Sequence, residues 1–247
     1  MIRLLALLAL TAPAAAAPSW DIQFSAPLDL SVPVEVLDLD PDAVTPAQVA
    51  ALKARGVLPV CYVSVGTLED YRADRAAFPP EVLGRHYADW PDEVFLDIRQ
   101  RDLLLPLMQA RFRRCAEMGF AAIDPDNQDV HDNDSGFDVT PADTLAWLRA
   151  LADLAHGMGL QIGQKNIGNL TPDLVDTLDF VVTEGCLSDG WCDQVAPYVA
   201  AGKPVFAIEY AIPPAAQPAA CATAHAAGLS MVFKTRELSA KGRACPP

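Results

Sequence analysis

The chain has 247 residues, 51% of them hydrophobic and 20% charged, and a formal net charge of -14. That length and apolar content allow one sizeable buried core and speak against a largely disordered protein. With 32 acidic against 18 basic residues, nucleic acid and anionic membrane surfaces are disfavoured as partners, because both demand an excess of Lys and Arg; a neutral or cationic partner suits the balance.

At the start of the chain, Arg3 supplies a positive charge, Leu4 to Leu10 form an apolar run, and small residues follow from Ala12 to Ala17. This is the order of a secretory signal peptide, expected over 1–17, with a soluble, secreted or periplasmic mature chain over 18–247. The apolar run is too short to span a bilayer core of roughly 30 Å. Six cysteines follow it: Cys61, Cys115, Cys186, Cys192, Cys221 and Cys245. An even number in an exported chain predicts disulfides.

Beyond the leader, β-type runs at 20–25, 34–39, 58–64, 121–126, 160–166, 180–184, 204–210 and 229–234 alternate with helical segments. Thr45-Pro46, Thr140-Pro141 and Thr171-Pro172 each place a capping Thr before Pro at the first helical position. The helix after Pro141 is expected to bury Leu145, Leu148, Ala152 and Ala155 on one face. Eight strand–helix units favour a single closed (β/α)8 barrel of parallel strands over an open sheet. The stretch from 66 to 102 breaks the rhythm after the third strand and carries Tyr71, Phe78, Tyr87, Trp90 and Phe95. In a barrel it falls on the active-site face, and it reads as a substrate-binding loop; an aromatic-packed excursion is the plainer alternative.

The chemistry of such a barrel gathers at the C-terminal ends of its strands. Those ends carry Gln23, Asp38 and Asp40, Tyr62 and Ser64, Asp124 and Asp126, Lys165 and Asn166, Glu184, Glu209 and Tyr210, and Lys234. Alternation along a strand puts Ala122, Asp124 and Asp126 on the pore side together, and likewise Phe180, Val182 and Glu184. Two strands can therefore present terminal carboxyl groups to one cavity. Paired carboxylates without a Ser–His or Cys–His constellation point to glycosidic cleavage. Taken singly, each has a structural alternative: Asp124 as partner of Lys165, Asp38 or Asp40 as a loop cap, Glu209 as partner of a lysine. His86, His131, His156 and His225 form no ligand cluster, and neither metal nor cofactor is expected.

At Asp124-Pro-Asp-Asn127 the sequence resembles glycoside hydrolase family 114, the endo-α-1,4-polygalactosaminidase group. The resemblance extends through Cys61-Tyr-Val-Ser-Val-Gly66, Glu69-Asp-Tyr-Arg72, Trp90-Pro-Asp-Glu-Val-Phe-Leu-Asp-Ile-Arg99, Gly136-Phe137, Lys165-Asn166, Glu184-Gly-Cys186, Cys192 and Glu209-Tyr210. It implies a (β/α)8 barrel that hydrolyses an α-1,4-linked galactosamine polymer with retention, Asp126 being the nucleophile and Glu184 the acid/base. A partly cationic polysaccharide partner agrees with the acidic balance. Candidates for substrate contact are Asp38, Asp40, Tyr62, Trp90, Asp124, Asn127, Lys165, Asn166, Glu209 and Tyr210. Two alternatives stand beside this reading: an exported polysaccharide-binding barrel without turnover, and a Schiff-base enzyme using Lys165 or Lys234.

Further expectations follow. If Tyr62 and Ser64 face the pore, Cys61 points outward to the helix carrying Cys115; a short Cys186–Cys192 loop beside Glu184 then leaves Cys221–Cys245 by elimination. Trp90 and Tyr71 are expected at the cavity rim as sugar-stacking platforms. Asp126 should be ionised and held by hydrogen bonds, and Glu184 should keep a proton in a less polar setting. The protein is expected to be monomeric.

Overall fold

The computed structural model describes residues 17–246, so the leader expected over 1–17 lies, apart from Ala17, outside the described residues. Strands β1 (Trp20–Gln23), β2 (Val36–Leu39), β3 (Leu58–Ser64), β4 (Ala122–Asp126), β5 (Gln161–Lys165), β6 (Phe180–Glu184), β7 (Val205–Glu209) and β8 (Ser230–Phe233) pair in parallel in sequence order. All eight runs read from the sequence are strands, trimmed at their ends by two residues or fewer. The barrel is nearly closed. No ladder joins β8 to β1; instead the Trp20 indole N–H donates to the Ser230 carbonyl at 2.9 Å, and the Ser230 hydroxyl to that of Pro18 at 2.6 Å. A short strand, Arg243–Ala244, adds antiparallel to β8.

Among the described residues seven α-helices surround the strands: α1 (Pro46–Ala54), α2 (Arg101–Met118), α3 (Pro141–Gly157), α4 (Thr171–Leu174), α5 (Cys186–Asp189), α6 (Ala196–Ala200) and α7 (Gln217–Ala226). Thr45 and Thr140 cap α1 and α3 as expected, each in a reciprocal capping box with Gln48 or Asp143. Thr171 departs from expectation: it is the first residue of α4, and its hydroxyl accepts from Gln164 Nε2 at 2.9 Å. The buried face of α3 also differs. It runs through Thr144, Trp147, Leu148, Leu151, Ala152 and Ala155, leaving Leu145 half-buried, because the bulkiest side chain, Trp147, takes the centre of the contact.

Two apolar bodies hold the barrel. One lies between strands and helices and includes Val49, Leu52, Phe112, Trp147, Leu148 and Tyr198. The other fills the lower pore: Trp20, Phe180 and Phe206 pack with ring centroids 5.0 and 6.0 Å apart, joined by Ile22, Val36, Val60, Ala122, Val182, Ile208 and Val232. Each such large side chain contributes about 1.5–3 kcal/mol by leaving water. Gly163 makes room for this plug, since a Cβ there would lie 2.5 Å from the Phe180 ring. Because the plug occupies the N-terminal half of the pore, polar side chains are confined to the C-terminal half.

The expected disulfides Cys61–Cys115, Cys186–Cys192 and Cys221–Cys245 are the ones formed. The 66–102 stretch is more ordered than a loop: Thr67–Glu69, Leu83–Tyr87 and Trp90–Leu96 build a three-stranded antiparallel sheet with Trp90–Leu96 in the middle. Its hairpin turns at Ala88-Asp89, which lacks the Asn-Gly type of signal that marks a tight hairpin in sequence.

Candidate active site

The end of β4 sets the geometry. Ala122, Asp124 and Asp126 rise in steps up the pore wall, and Tyr62 and Ser64 of β3 stand beside Asp124 and Asp126 in register. Asp126 accepts from the Tyr62 hydroxyl at 3.0 Å. The Lys165 ammonium, 3% exposed at the end of β5, lies 3.2 Å from Asp126 Oδ1, 3.3 Å from Asp124 Oδ2 and 3.7 Å from Glu184 Oε2. Burial alone would lower this lysine, yet Asp124, Asp126 and Glu184 around it hold it well above the usual lysine range. It is therefore a fixed cation. The Schiff-base alternative at Lys165 needs the opposite, a neutral amine; Lys234 is bound to Asp21 at 2.6 Å.

The same lysine ties the two candidate catalytic groups together. Its distances of 3.2 Å and 3.7 Å limit the separation of Asp126 Oδ1 from Glu184 Oε2 to at most their sum, 6.9 Å. Glu184 accepts from the Tyr210 hydroxyl at 2.5 Å and from Asn166 Nδ2 at 3.2 Å, while Asn166 Oδ1 receives the Glu184 backbone N–H at 2.8 Å. The less polar setting expected for Glu184 is not found: three donors face it, as two face Asp126. Asn127 and Asn166, the residues after Asp126 and Lys165, both adopt left-handed backbone, φ 59° and 53°. Asn tolerates that region better than other side chains, and the bend turns each strand outward just past its functional residue. Gly66 permits the close passage, because a Cβ there would sit 1.7 Å from the Asn127 carbonyl oxygen.

Asp38 and Asp124 lie beneath the cavity floor, 1% and 0% exposed, and do not line the cavity; expected as substrate contacts, they act instead as supports. Among the described residues neither Asp38 oxygen, nor Asp124 Oδ1, has a hydrogen-bond partner. Burial, and then the Asp124 charge, raise the Asp38 carboxyl well above the usual carboxylate range. Glu209 is a second correction. It shares the outward face of β7 with Val205 and Ala207, away from the cavity, and accepts from the Leu187 N–H (2.7 Å), the Ser188 N–H (3.3 Å) and the Ser188 hydroxyl (2.5 Å). It anchors the chain just after Glu184.

Above the floor opens a cavity of about 310 Å³ lined by Asp126, Glu184, Tyr62, Tyr210, Lys165, Asn127, Asn166 and Asp40. Trp90, 39% exposed, and Tyr71, 60% exposed, stand in its wall from the excursion. Residues that strand-end reading missed complete it: Phe24, Glu69, Asp92, Glu93, Asp129 and the 236–238 segment. Eight carboxylates face it against two cations, Lys165 and Arg236. Part of that charge is tied down by Arg72, which pairs with Asp40 (2.9 Å), Asp42 (2.7 Å) and Glu69 (2.7 Å) and lies over the rings of Tyr62 and Tyr71. Strand-end logic could not find Glu69, Arg72 or Glu93, since the excursion brings them in sideways. Their signals were the density of acids and aromatics in 69–93 and the two stretches of family resemblance, 69–72 and 90–99, that contain them.

A parallel barrel that presents two close carboxyl groups at the ends of β4 and β6, inside a cavity walled with acids and aromatic rings, defines a glycoside hydrolase. The sequence profile of the glycoside-hydrolase family GH114 matches residues 6–246, and the chain belongs to that family. Aspergillus fumigatus Ega3, solved in complex with galactosamine, is 32% identical with a TM-score of 0.88, over 97% of this chain and 99% of that one. The glycoside hydrolase domain of Pseudomonas aeruginosa PelA is 20% identical with a TM-score of 0.72, over 92% and 98% of the two chains, and shares the fold. No curated protein sequence matches the chain.

Proposed function

We propose that the protein is an exported, monomeric, single-domain endo-glycosidase that cleaves an α-1,4-linked galactosamine-type polysaccharide with retention, Asp126 acting as nucleophile and Glu184 as acid/base. The observation that carries the mechanism is the shared ammonium of Lys165. It confines the facing oxygens of the pair to 6.9 Å or less, compatible with the about 5–5.5 Å of retaining enzymes and outside most of the roughly 6.5–9.5 Å of inverting ones. In the first step Glu184 gives its proton to the glycosidic oxygen as that bond breaks, and Asp126 forms the bond to the anomeric carbon. In the second, Glu184 takes a proton from water, whose oxygen displaces Asp126. Tyr62 and Lys165 hold the attacking carboxylate; Tyr210 and Asn166 aim the acid.

The acidic cavity supports a substrate with positive charge, and the galactosamine bound to Ega3 supports an amino sugar. Trp90 and Tyr71 offer flat faces for sugar rings at the mouth. Three disulfides and a helix set in which, among the described residues, none is long and apolar enough to cross a membrane support export. The test is product analysis on partly deacetylated polygalactosamine, following anomeric configuration by NMR, with azide rescue of Glu184→Ala. Products first released as the inverted anomer, or an Asp126→Ala enzyme of near-normal activity, would overturn the mechanism.

A further inference from the structure

One carboxyl in the cavity wall has surroundings that leave it incomplete. Glu93 lies in Trp90–Leu96, is 8% exposed, and lines the cavity that holds Asp126 and Glu184. Its Oε2 accepts from the Thr67 hydroxyl at 2.5 Å and from Asn127 Nδ2 at 3.2 Å. Asn127 directly follows Asp126, so this contact fixes Glu93 beside the nucleophile and not at the outer rim. Its other oxygen receives no hydrogen bond from the described residues, and it is not among the atoms sealed away from the cavity. No Lys or Arg among the described residues pairs with Glu93. Directly across the antiparallel ladder stands Glu69, a like charge that would be destabilising there, and the nearby Arg72 is taken up by Glu69, Asp40 and Asp42.

The groups that face Glu93 are all acidic or neutral: Glu69 and Asp92 on the excursion, Asp126 on β4, the phenols of Tyr62 and Tyr87, and the Thr67 hydroxyl. Burial pushes the carboxyl up, the Thr67 hydroxyl holds it down, and Glu69, Asp126 and Asp92 add to the rise, leaving it at about 7. A buried acid with one free oxygen, opening on a cavity and lacking a counter-ion, is short of a donor and of a positive charge.

A sugar ammonium supplies both. We propose that Glu93 is a specificity-determining residue, its free oxygen receiving the ammonium of an unacetylated amino sugar seated beside the catalytic pair. This rests on the galactosamine reading above and adds how the enzyme tells free amine from acetamide. An acetamido group brings no charge and a single N–H donor, so it leaves the buried carboxylate without a counter-ion. When Glu93 is protonated the discrimination fades, because a neutral acid can donate to the acetamido carbonyl. Preference for the free amine therefore rises as pH climbs through about 7, and falls again only when the sugar ammonium loses its own proton.

The experiment compares kcat/KM on fully deacetylated and fully N-acetylated oligogalactosamine of equal length, from acidic pH up to neutrality, where the sugar ammonium keeps its proton. In the wild type the ratio of the two should increase with pH. In Glu93→Gln it should be flat and lower by about tenfold at the neutral end of that range, roughly one charge-assisted hydrogen bond. A Glu93→Gln enzyme with the wild-type ratio and slope overturns the inference. If that variant does not fold, Glu93→Asp gives the reading: a displaced midpoint of the pH-dependent ratio supports the assignment, and an unmoved one overturns it. A wild-type enzyme inactive on both polymers would instead sink the substrate reading, and this inference with it.

Discussion

Lys165 ties the catalytic pair to the cavity floor, since Asp124, Asp126 and Glu184 share its one charge. Replacing it with Met leaves Asp124 buried and unpaired, at a cost of about 3–5 kcal/mol. Chemical denaturation of Lys165→Met should show that loss together with a fall in kcat; a variant as stable as wild type would mean that Asp124 is neutral without it. Asp38 makes the contrasting case. Its folded carboxyl titrates far above its unfolded one because of burial, so the folded state binds the extra proton. By linkage, Asp38 weakens the fold progressively as pH rises from the ordinary Asp value of about 3.9 toward its raised folded value. Asn is neutral at every pH and similar in shape. Asp38→Asn should thus gain stability relative to wild type on going from mildly acidic to neutral pH, read from urea midpoints at each pH; a difference that does not change with pH would argue that Asp38 is ionised in the fold.

Among the elements, the short α5 turn is held from outside the barrel. Glu209 gathers two backbone N–H groups and the Ser188 hydroxyl, which Ala would leave unpaired at about 1–3 kcal/mol. Glu209→Ala should lower Tm and, through the displaced Glu184, kcat more than KM; an unchanged kcat would show that the Cys186–Cys192 bridge alone holds the turn. This outward role was available in the sequence, because Val205, Ala207 and Glu209 share one face of β7 while Phe206, Ile208 and Tyr210 share the other. Glu209 and Tyr210 could not both face the pore. Strand ends were legible for the same reason: apolar alternation stops where the plug of Trp20, Phe180 and Phe206 ends, and Asp126, Lys165 and Glu184 begin. The Glu69–Glu93 pairing was not legible, since it depends on which strands of the excursion meet and in what register. Nor was the depth of Asp38 and Asp124, for periodicity gives a face and not a height above the floor.

At the scale of the whole molecule, the charge of -14 and the eight acids around the cavity create a field that draws in cations and is screened by salt. The Debye length shrinks from about 10 Å at 0.1 M to about 3 Å at 1 M. With a deacetylated, cationic polymer, kcat/KM should therefore drop steeply as salt is added, while a neutral N-acetylated one should respond little; equal salt dependence would remove electrostatic capture from the account. The chain terminus also reaches the site, because the segment before Arg243–Ala244 supplies Arg236, Glu237 and Leu238 to the cavity wall and the Cys221–Cys245 bridge pins it. Replacing both cysteines with Ser should cost about 3 kcal/mol by the loop-entropy account, measurable as a lower urea midpoint.

The position of the Lys165 ammonium between Asp126 and Glu184 has a consequence for the covalent cycle proposed above. Before the first step Asp126 is anionic and Glu184 carries a proton; afterwards Asp126 is a neutral ester and Glu184 has become the anion. The sum over the pair is one negative charge throughout, so only its side changes, hopping across a cation that stays where it is. A site whose net charge stays constant through the cycle demands little reorganisation of its surroundings at either step. Lys165 thereby serves as a fulcrum, 3.2 Å from the carboxyl charged before glycosylation and 3.7 Å from the one charged after it.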